Sequence, residues 1–311
     1  EIYTQRDTLS LHDALPICFI AKSIQPVLRM LSKKAYISWQ YRYITGHRLD
    51  WKNLRRYTEK LQYLRLYYYP YNKAVIKAAS RDGARERVKE HKLDSLLIPI
   101  VGIYDKVEDV PFDKLPKRFV IKATHACALN HICLDKDKLD LGALQKKLHK
   151  WLKTDYGKKT VEPHYSKIKP RLIIEEYVGE TESLPIEYKI HVFNGKARYL
   201  YVVSGRGKDI RYDNLYIDFT PFPEAQFNHW SSSDILPKKP KIYESLVKCA
   251  EILAQDLLFC RVDFFVVDDK IYFNEFTFTP AKGTLIFDDD KADFIISEWF
   301  DISSATKNKA A

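Results

Sequence analysis

The sequence predicts an α+β fold in which mainly antiparallel strands carry helices on one side, preceded by a basic and mainly helical N-terminal region. The chain has 311 residues, of which 46% are hydrophobic, so it can bury a large core. Beyond residue 96, short strand-like runs are interspersed with two amphipathic helical stretches. Asn194-Gly195 joins two of these runs and is a strong signal for a hairpin between antiparallel strands.

The formal charge of +10 is concentrated in the first third of the chain. Residues 19–95 contain 18 basic and 6 acidic side chains, whereas residues 96–311 contain 32 of each. The basic segment also holds nine of the 21 tyrosines. We interpret it as a solvated helical face packed by tyrosines or, alternatively, as a surface for an acidic glycan or an anionic membrane face. We expect no nucleic-acid partner.

Local changes in residue composition indicate how the chain is organised. Residues 1–18 look foreign to the rest and resemble a peptide translated from sequencing-adapter DNA, although a real disordered leader is an alternative. We expect a helical region at 19–95, one subdomain at 96–165, a second at 166–305 and a tail at 306–311. Five scattered cysteines and the lack of a long apolar run indicate a cytoplasmic protein, which could also contact the inner face of the membrane.

Helices are predicted where apolar residues recur every three or four positions. In the basic region, residues 57–68 place Leu61 and Leu64 on one face, and a short charged helix follows at 82–92. Residues 139–153 carry the apolar stripe of Leu144 and Leu148. A further buried face follows Pro240, which is placed to open a helix.

Strands are predicted where apolar or alternating runs are bounded by turn residues. In chain order these runs are 97–104, 118–123, 171–178, 188–193, 197–204, 260–267 and 271–278. Together with the helices, these runs form an α+β pattern in which mainly antiparallel strands carry helices on one side.

The last two strands carry the most informative pattern. If Asp268, Asp269 and Lys270 form a three-residue turn, Asp263 faces Glu275 and Arg261 faces Thr277. Side chains so paired lie about 5 Å apart at Cβ, so the two carboxylates would repel each other unless a cation lay between them. Mg²⁺ takes carboxylate oxygens together with substrate phosphates. The alternatives are a solvated strand end, neutralisation by Arg261 alone, or a two-residue turn that separates the pair.

Two lysines stand inside otherwise apolar strands. Lys122 lies in Val-Ile-Lys-Ala-Thr-His and Lys189 in Glu-Tyr-Lys-Ile-His-Val-Phe. A buried ammonium needs an anionic partner, which either nucleotide phosphates or ordinary carboxylates would provide. Together with the carboxylate pair, the lysines suggest a site for phosphate and metal.

Five motifs in order resemble the ATP-grasp fold, and more narrowly the TupA-like ATP-grasp proteins of teichuronopeptide and capsular-polysaccharide gene clusters. They begin at residues 120, 172, 187, 261 and 274, as Val-Ile-Lys-Ala-Thr-His, Leu-Ile-Ile-Glu-Glu-Tyr-Val, Glu-Tyr-Lys-Ile-His-Val-Phe-Asn-Gly, Arg-Val-Asp-Phe and Asn-Glu-Phe-Thr-Phe-Thr-Pro. The resemblance runs from about Trp51 to Trp299 and includes Thr-Glu-Lys-Leu-Gln in the basic region. It implies two α+β subdomains that clamp ATP.

The resemblance also implies roles for single residues. Lys122 and Lys189 match the lysines that hold the phosphates. Glu175 matches the glutamate that opens the adenine-binding segment, whose backbone from Glu176 to Val178 would meet the base. The Mg²⁺ ligands would be Asp263 and Glu275, with Thr277 where related enzymes use an amide. Arg261 would contact phosphate or acyl phosphate, and with Lys189 we expect it to act in catalysis.

One loop departs from the family pattern. A glycine-rich loop usually follows the first lysine, but residues 124–130 here contain no glycine. Without glycine a tight anion-binding turn is harder to form, so a catalytically inactive relative is an alternative. His125, Cys127, His131 and Cys133 lie close together, but their spacing is unlike that of structural zinc sites, and we expect ordinary packing.

The resemblance implies an ATP- and Mg²⁺-dependent carboxylate–amine ligase. It would activate a carboxylate of a surface polysaccharide or its precursor as an acyl phosphate, which an amine or amino acid then attacks. One alternative is a phosphotransferase acting on a sugar hydroxyl, and another is a degenerate binding protein. Asp268-Asp269 and Asp288 to Asp290 resemble acidic glycosyltransferase motifs, but no Rossmann-type glycine pattern accompanies them.

Overall fold

The computed structural model describes residues 28–179 and 184–307. The predicted leader at 1–18 and most of the predicted tail lie outside these residues. Within them, no helix combines the length and the apolar character needed to cross a membrane. The fold consists of two antiparallel sheets with helices packed around them, in agreement with the predicted α+β class.

The helices, in chain order, are α1 (Lys33–Thr45), α2 (Tyr57–Tyr67), α3 (Lys73–Ala79), α4 (Arg81–Glu90), α5 (Leu141–Leu152), α6 (Tyr156–Thr160), α7 (Tyr243–Ala254), α8 (Lys291–Glu298) and α9 (Ser303–Lys307). The strands are β1 (Ile100–Tyr104), β2 (Phe119–Ala123), β3 (Asn130–Cys133), β4 (Leu172–Glu176), β5 (Ile186–Phe193), β6 (Lys196–Ser204), β7 (Arg211–Tyr216), β8 (Phe259–Val267) and β9 (Lys270–Thr277).

The first sheet has the order β1-β4-β2-β3. Helix α5 packs against it because Leu144, Leu148 and Trp151 lie on one helical face and bury themselves against strand residues such as Ile121. The predicted boundary at residue 165 falls before β4, which hydrogen-bonds between β1 and β2. The chain therefore passes from the first sheet to the second after Glu176.

The second sheet has the order β7-β6-β5-β8-β9. Helices α2, α3, α4 and α7 share one hydrophobic core with it, in which Leu61, Val88 and Leu253 meet strand residues such as Ile190 and Val262. The helical stretch from α2 to α4 is therefore part of the body of the protein.

The arginines of this stretch point largely inward, which corrects the interpretation of the whole basic region as a solvated face. Arg65 is fully buried. The Arg87 Nε donates to the carbonyl of Leu253 at 2.7 Å, and the Arg65 Nε donates to the carbonyl of Val161 at 2.9 Å. Charge counting could not reveal these contacts, because the partners lie far away in the chain.

The sequence patterns did not predict two of the strands. β3 and β7 each lie at one edge of their sheet, and both contain several polar residues. Edge strands tolerate such sequences because one side of the strand has no neighbouring strand to pack against. The Asn194-Gly195 hairpin is present as predicted, with both residues at positive φ.

The β8–β9 hairpin differs from the prediction at its turn but agrees at its open end. The turn contains two residues, Asp268 and Asp269, both at positive φ, so Val267 pairs with Lys270 and the three-residue turn is wrong. A register shift after Asp263 then leaves Asn274 as an extra residue on β9. This bulge restores the predicted pairs Asp263–Glu275 and Arg261–Thr277.

Asp293 on α8 links that helix to the start of α2. Its carboxylate accepts hydrogen bonds from the Thr58 amide at 2.9 Å and the Thr58 hydroxyl at 2.6 Å. Burial raises the pKa of Asp293 to about 6 from an ordinary value of 3.8. Because the folded protein holds this proton more tightly than the unfolded chain, the resulting stability is present below pH 4 and lost as the pH rises through about 6.

We expect Asp293→Asn to remove this component of the pH dependence. The free energy of unfolding of the wild type, minus that of the variant, should be about 2–3 kcal/mol larger at pH 4 than at pH 7. Urea titration at both pH values measures this difference. A difference that stays constant, or that grows with pH, contradicts the assignment.

Candidate active site

A cleft of about 1090 Å³ is lined by residues of both sheets. It brings together eight of the nine residues singled out from the sequence: Lys122, Glu175, Glu176, Val178, Lys189, Arg261, Glu275 and Thr277. The ninth, Asp263, is fully buried and contacts two of the lining residues. The cleft is therefore the candidate active site.

The first sheet contributes Lys122 and Glu175. They stand on the neighbouring strands β2 and β4, and the Lys122 Nζ lies 2.6 Å from the Glu175 Oε2. The ammonium also donates to the Asn274 Oδ1 of the second sheet at 3.0 Å. Lys122 thus bridges the two walls of the cleft, and a carboxylate fills the need for an anionic partner that the sequence left open.

The end of β4 and the segment that follows it form one rim of the cleft. Glu176, Tyr177 and Val178 line it directly, and the Glu176 amide donates to the Pro99 carbonyl at 3.0 Å. This hydrogen bond ties the rim to the segment before β1, so the backbone that follows it is held beside Lys122 and Glu175.

The second sheet places a row of polar side chains across β5, β8 and β9. Lys189 pairs with Asp263, which in turn pairs with Glu275. The Lys189 Nζ lies 2.6 Å from the Asp263 Oδ2 and 2.5 Å from the Glu187 Oε2. Burial alone would lower the pKa of Lys189, but these two carboxylates raise it above its usual range, so the side chain is a permanent cation.

Arg261 holds Asp263 with a bidentate contact. Its Nε and Nη2 donate to the two carboxylate oxygens at 2.6 Å each. The same guanidinium donates to the Tyr201 hydroxyl at 2.7 Å and the Thr277 hydroxyl at 2.9 Å. Four charge-assisted hydrogen bonds fix the plane of the guanidinium where it borders the cleft.

Sequence reasoning missed three arginines of the site: Arg206, which lines the cleft and contacts Glu187, and two from the basic helix α4. The Arg81 Nη2 lies 2.5 Å from the Glu275 Oε2, and the Arg85 Nη1 lies 3.4 Å from the Glu175 Oε1. Burial acts to lower the pKa of Arg81, but the charge of Glu275 raises it overall. The only sequence signal was helical spacing, since residues 81 and 85 lie one turn apart on the same face.

The glycine-free loop still forms a tight turn. Ala128 adopts the left-handed conformation with φ of +59°, and the Ala123 amide donates to the Leu129 carbonyl at 2.9 Å. The loop is anchored by the buried ring of His125, whose Nε2 lies 3.1 Å from the Thr154 carbonyl oxygen. Cys127 and Ala128 line the cleft, so the turn lies beside the site despite its sequence.

We expect Ala128→Gly to stabilise the protein by roughly 0.5–1 kcal/mol. The left-handed conformation costs alanine about 1–2 kcal/mol, and this exceeds the entropic cost of a glycine. Ala126→Gly is the matched control. Ala126 is buried in the same loop without a positive φ, so this substitution should destabilise the protein. Thermal unfolding of both variants measures the difference, and a destabilised Ala128→Gly would contradict the strain.

The open end of the β8–β9 hairpin brings together carboxylate and hydroxyl oxygens, which are the donor types that Mg²⁺ takes. Asp263 and Glu275 are paired across the hairpin, and their carboxylates form ion pairs with cations of the protein: Asp263 with Arg261 and Lys189, and Glu275 with Arg81. Along 28–179 and 184–307, no three His, Cys, Asp or Glu residues cluster in a way that could hold a metal. Mg²⁺ commonly binds through one or two carboxylates plus substrate phosphates, which agrees with this donor set.

Two antiparallel sheets with a lysine- and carboxylate-lined cleft between them define an ATP-grasp protein. The family model described as TupA-like ATPgrasp matches residues 59–301. The chain belongs to the TupA-like ATP-grasp family, as its motifs predict. This match begins within helix α2, so the family includes the helices that pack on the second sheet.

Solved structures with a similar fold include D-alanine–D-alanine ligases. The enzyme from Bacillus anthracis complexed with ATP is 17% identical over 65% of this chain and 55% of its own, with a TM-score of 0.39. The enzyme from Helicobacter pylori is 15% identical over 73% and 59%, with a TM-score of 0.41. This chain therefore spans a little over half the length of those ligases. No curated protein matches it.

Proposed function

We propose that this chain is an ATP- and Mg²⁺-dependent carboxylate–amine ligase that acts on a surface polysaccharide or its precursor. The observation that carries the proposal is the placement of Lys122 and Glu175 on one wall of the cleft and of Lys189, Arg261 and Glu275 on the other. The binding of a nucleoside triphosphate and its metal requires cations for the phosphates and carboxylates for the metal, and facing walls that carry both support the proposal.

Each part of the cleft has a role in this proposal. The rim at Glu176 to Val178 binds the adenine, and Lys122 and Lys189 orient the phosphates. Asp263, Glu275 and Thr277 would hold Mg²⁺, which offsets phosphate charge when bound. Arg81 and Arg261 stabilise the charge that develops as a substrate carboxylate attacks the γ-phosphorus.

The proposed reaction has two steps. A carboxylate oxygen forms a bond to the γ-phosphorus and ADP leaves, which produces an acyl phosphate. The amine nitrogen then bonds to the acyl carbon, loses a proton, and phosphate departs with the carboxylate oxygen it received. The products are one amide, one ADP and one phosphate for each ATP.

An isotope experiment tests this route. The full chain is incubated with Mg²⁺, ATP, a mixture of amino acids and a uronic-acid oligosaccharide whose carboxylates carry ¹⁸O. We expect equal amounts of ADP and phosphate, with one ¹⁸O atom in each released phosphate. Phosphate that stays on a sugar hydroxyl would establish the phosphotransferase instead. Nucleotide binding without turnover of any acceptor would favour the degenerate binding protein.

We further propose that the basic residues still exposed near α1 dock the protein to an acidic glycan or an anionic membrane face. Those exposed on and just after this helix are Lys33, Lys34, Arg42, Arg48 and Lys52. Converting the five to Gln should reduce binding to the uronic-acid oligosaccharide or to vesicles with anionic lipid at low salt. Binding that is insensitive to both the substitutions and salt contradicts this surface.

A further inference from the structure

Two charged side chains of the cleft have no part in the nucleotide site proposed above. Glu162 follows helix α6, and Lys282 belongs to the 3-10 turn Pro280–Gly283 after β9. Both line the cleft, together with Tyr156, Thr279 and Ala281. They approach it from parts of the chain that are far apart in sequence, so their meeting is a product of the tertiary fold.

Both side chains are presented by strained backbone. Val161, the residue before Glu162, has a φ of +56°, and Ala281 and Lys282 have φ of +46° and +57°. A left-handed conformation costs a non-glycine residue about 1–2 kcal/mol, and a β-branched residue such as valine rarely adopts it. Such conformations persist only where the surroundings impose them, and they are concentrated at functional sites.

Helix α2 imposes both turns through two buried polar side chains. The Arg65 Nε donates to the Val161 carbonyl at 2.9 Å, and its Nη1 donates to the Lys282 carbonyl at 3.0 Å. The Gln62 Nε2 donates to the carbonyls of Lys282 at 2.9 Å and Gly283 at 2.7 Å. Gln62 and Arg65 form a clamp that connects the two turns beside the cleft. The clamp gives a structural reason for these two residues in the Glu-Lys-Leu-Gln-Tyr-Leu-Arg stretch of α2.

The two side chains are available to a ligand. Lys282 is exposed to the cleft, and within the described ranges no ion pair to its ammonium is formed. Glu162 is buried and accepts a hydrogen bond from the Thr279 hydroxyl. Arg65 bonds to the carbonyls of Lys282 and of Val161, the residue before Glu162, so the cation and the anion belong to two tethered turns of the same cleft.

This charged pair adjoins the proposed metal ligands. Thr279, which bonds to Glu162, stands two residues after Thr277 on the same segment. Cys127 also lines the cleft, and burial, followed by the charges of Glu275 and Glu162, raises the pKa of its thiol to about 12, so it stays protonated. A molecule bound at Glu162 and Lys282 would thus lie next to the site of phosphate chemistry.

We propose that Glu162 and Lys282 form the subsite for a zwitterionic amino acid, the amine substrate of the ligase. The Lys282 ammonium binds its α-carboxylate and the Glu162 carboxylate binds its α-ammonium group. This inference rests on the proposed function and specifies one of the two molecules that the ligase joins. A free amino acid matches a cation and an anion in the same cleft, whereas a simple amine would leave Lys282 without a partner.

The test is calorimetric titration of the full chain with each of the twenty common amino acids and D-alanine, with and without saturating Mg²⁺ and ADP. We expect at least one amino acid to bind. The carboxamide analogue of that amino acid should bind the wild type about 10- to 100-fold more weakly. The unmodified amino acid should bind Lys282→Gln or Glu162→Gln more weakly by a similar factor. Lys282→Gln should weaken the binding of the carboxamide analogue only slightly further, because the carboxamide and the substitution remove the same contact.

Matched variants separate this role from an effect on folding. Lys92 has a φ of +58° and is exposed outside the cleft, so Lys92→Gln should leave binding unchanged. Lys282→Arg should retain binding within about threefold. A protein that binds Mg²⁺ and ADP but no amino acid would overturn the subsite and leave the nucleotide site intact. Amino-acid binding that is unaltered in both cleft variants would also overturn it, whereas failure to bind nucleotide counts against the proposed function.

Discussion

Replacing Glu275 with Gln is expected to lower ATP turnover by roughly 100-fold or more at saturating nucleotide. The change removes one of the two carboxylates proposed to hold Mg²⁺ but preserves the shape of the side chain. The amide oxygen can still accept from Arg81, which now lies 2.5 Å from the carboxylate, so the fold should survive. ADP release across a Mg²⁺ titration measures the effect.

Asp269→Asn is the matched control on the same hairpin. Asp269 is exposed at the turn with a φ of +55°, a conformation that asparagine tolerates, so turnover should not change. Normal turnover by Glu275→Gln at every Mg²⁺ concentration would refute the metal assignment. Equal losses in both variants would show that hairpin stability, and not the carboxylate, controls turnover.

Replacing Arg65 with Met is expected to lower the free energy of unfolding by about 3–5 kcal/mol. Arg65 is fully buried, and its guanidinium donates to three backbone carbonyls, those of Thr160, Val161 and Lys282. Methionine fills a similar volume but donates no hydrogen bond, so these acceptors would be left without their buried partner. Urea unfolding provides the measurement.

Arg65→Lys should recover only part of the loss, because an ammonium cannot reproduce the planar fork of donors that reaches both turns. Arg55→Met serves as the control from the same region: Arg55 is exposed, and its loss should change stability by less than about 0.5 kcal/mol. If Arg65→Met unfolds at the same urea concentration as the wild type, the clamp does not hold the turns.

The hairpin shows how far local patterns lead. Apolar alternation and the carboxylates at the open end predicted the pairs Asp263–Glu275 and Arg261–Thr277, which the structure contains. The turn length was wrong, since two residues at positive φ and a bulge at Asn274 replace the three-residue turn. Both arrangements place the same residues opposite each other at the open end, although the partners differ between the turn and the bulge, and a sequence pattern alone does not distinguish them.

Arginines were the hardest part of the site to predict. Arg65 meets Lys282 across 217 positions, and Arg81 reaches the Asn274 carbonyl across 193. Nothing in the spacing of helical residues indicates such partners, so the sequence suggested a charged surface where several side chains are internal. The basic surplus therefore has two uses: part of it completes the cleft and its supports, and part of it remains exposed around α1.

From the sequence alone followed the α+β class, the family and eight of the residues that line the cleft, because strand alternation, ordered motifs and charges inside apolar strands are local signals. Only the tertiary structure decided which cation meets which carboxylate, how the hairpin reaches its register, and that Gln62 and Arg65 hold two strained turns beside the site. The physical reason is that hydrogen bonds and ion pairs act over a few ångströms in space, whatever the separation along the chain.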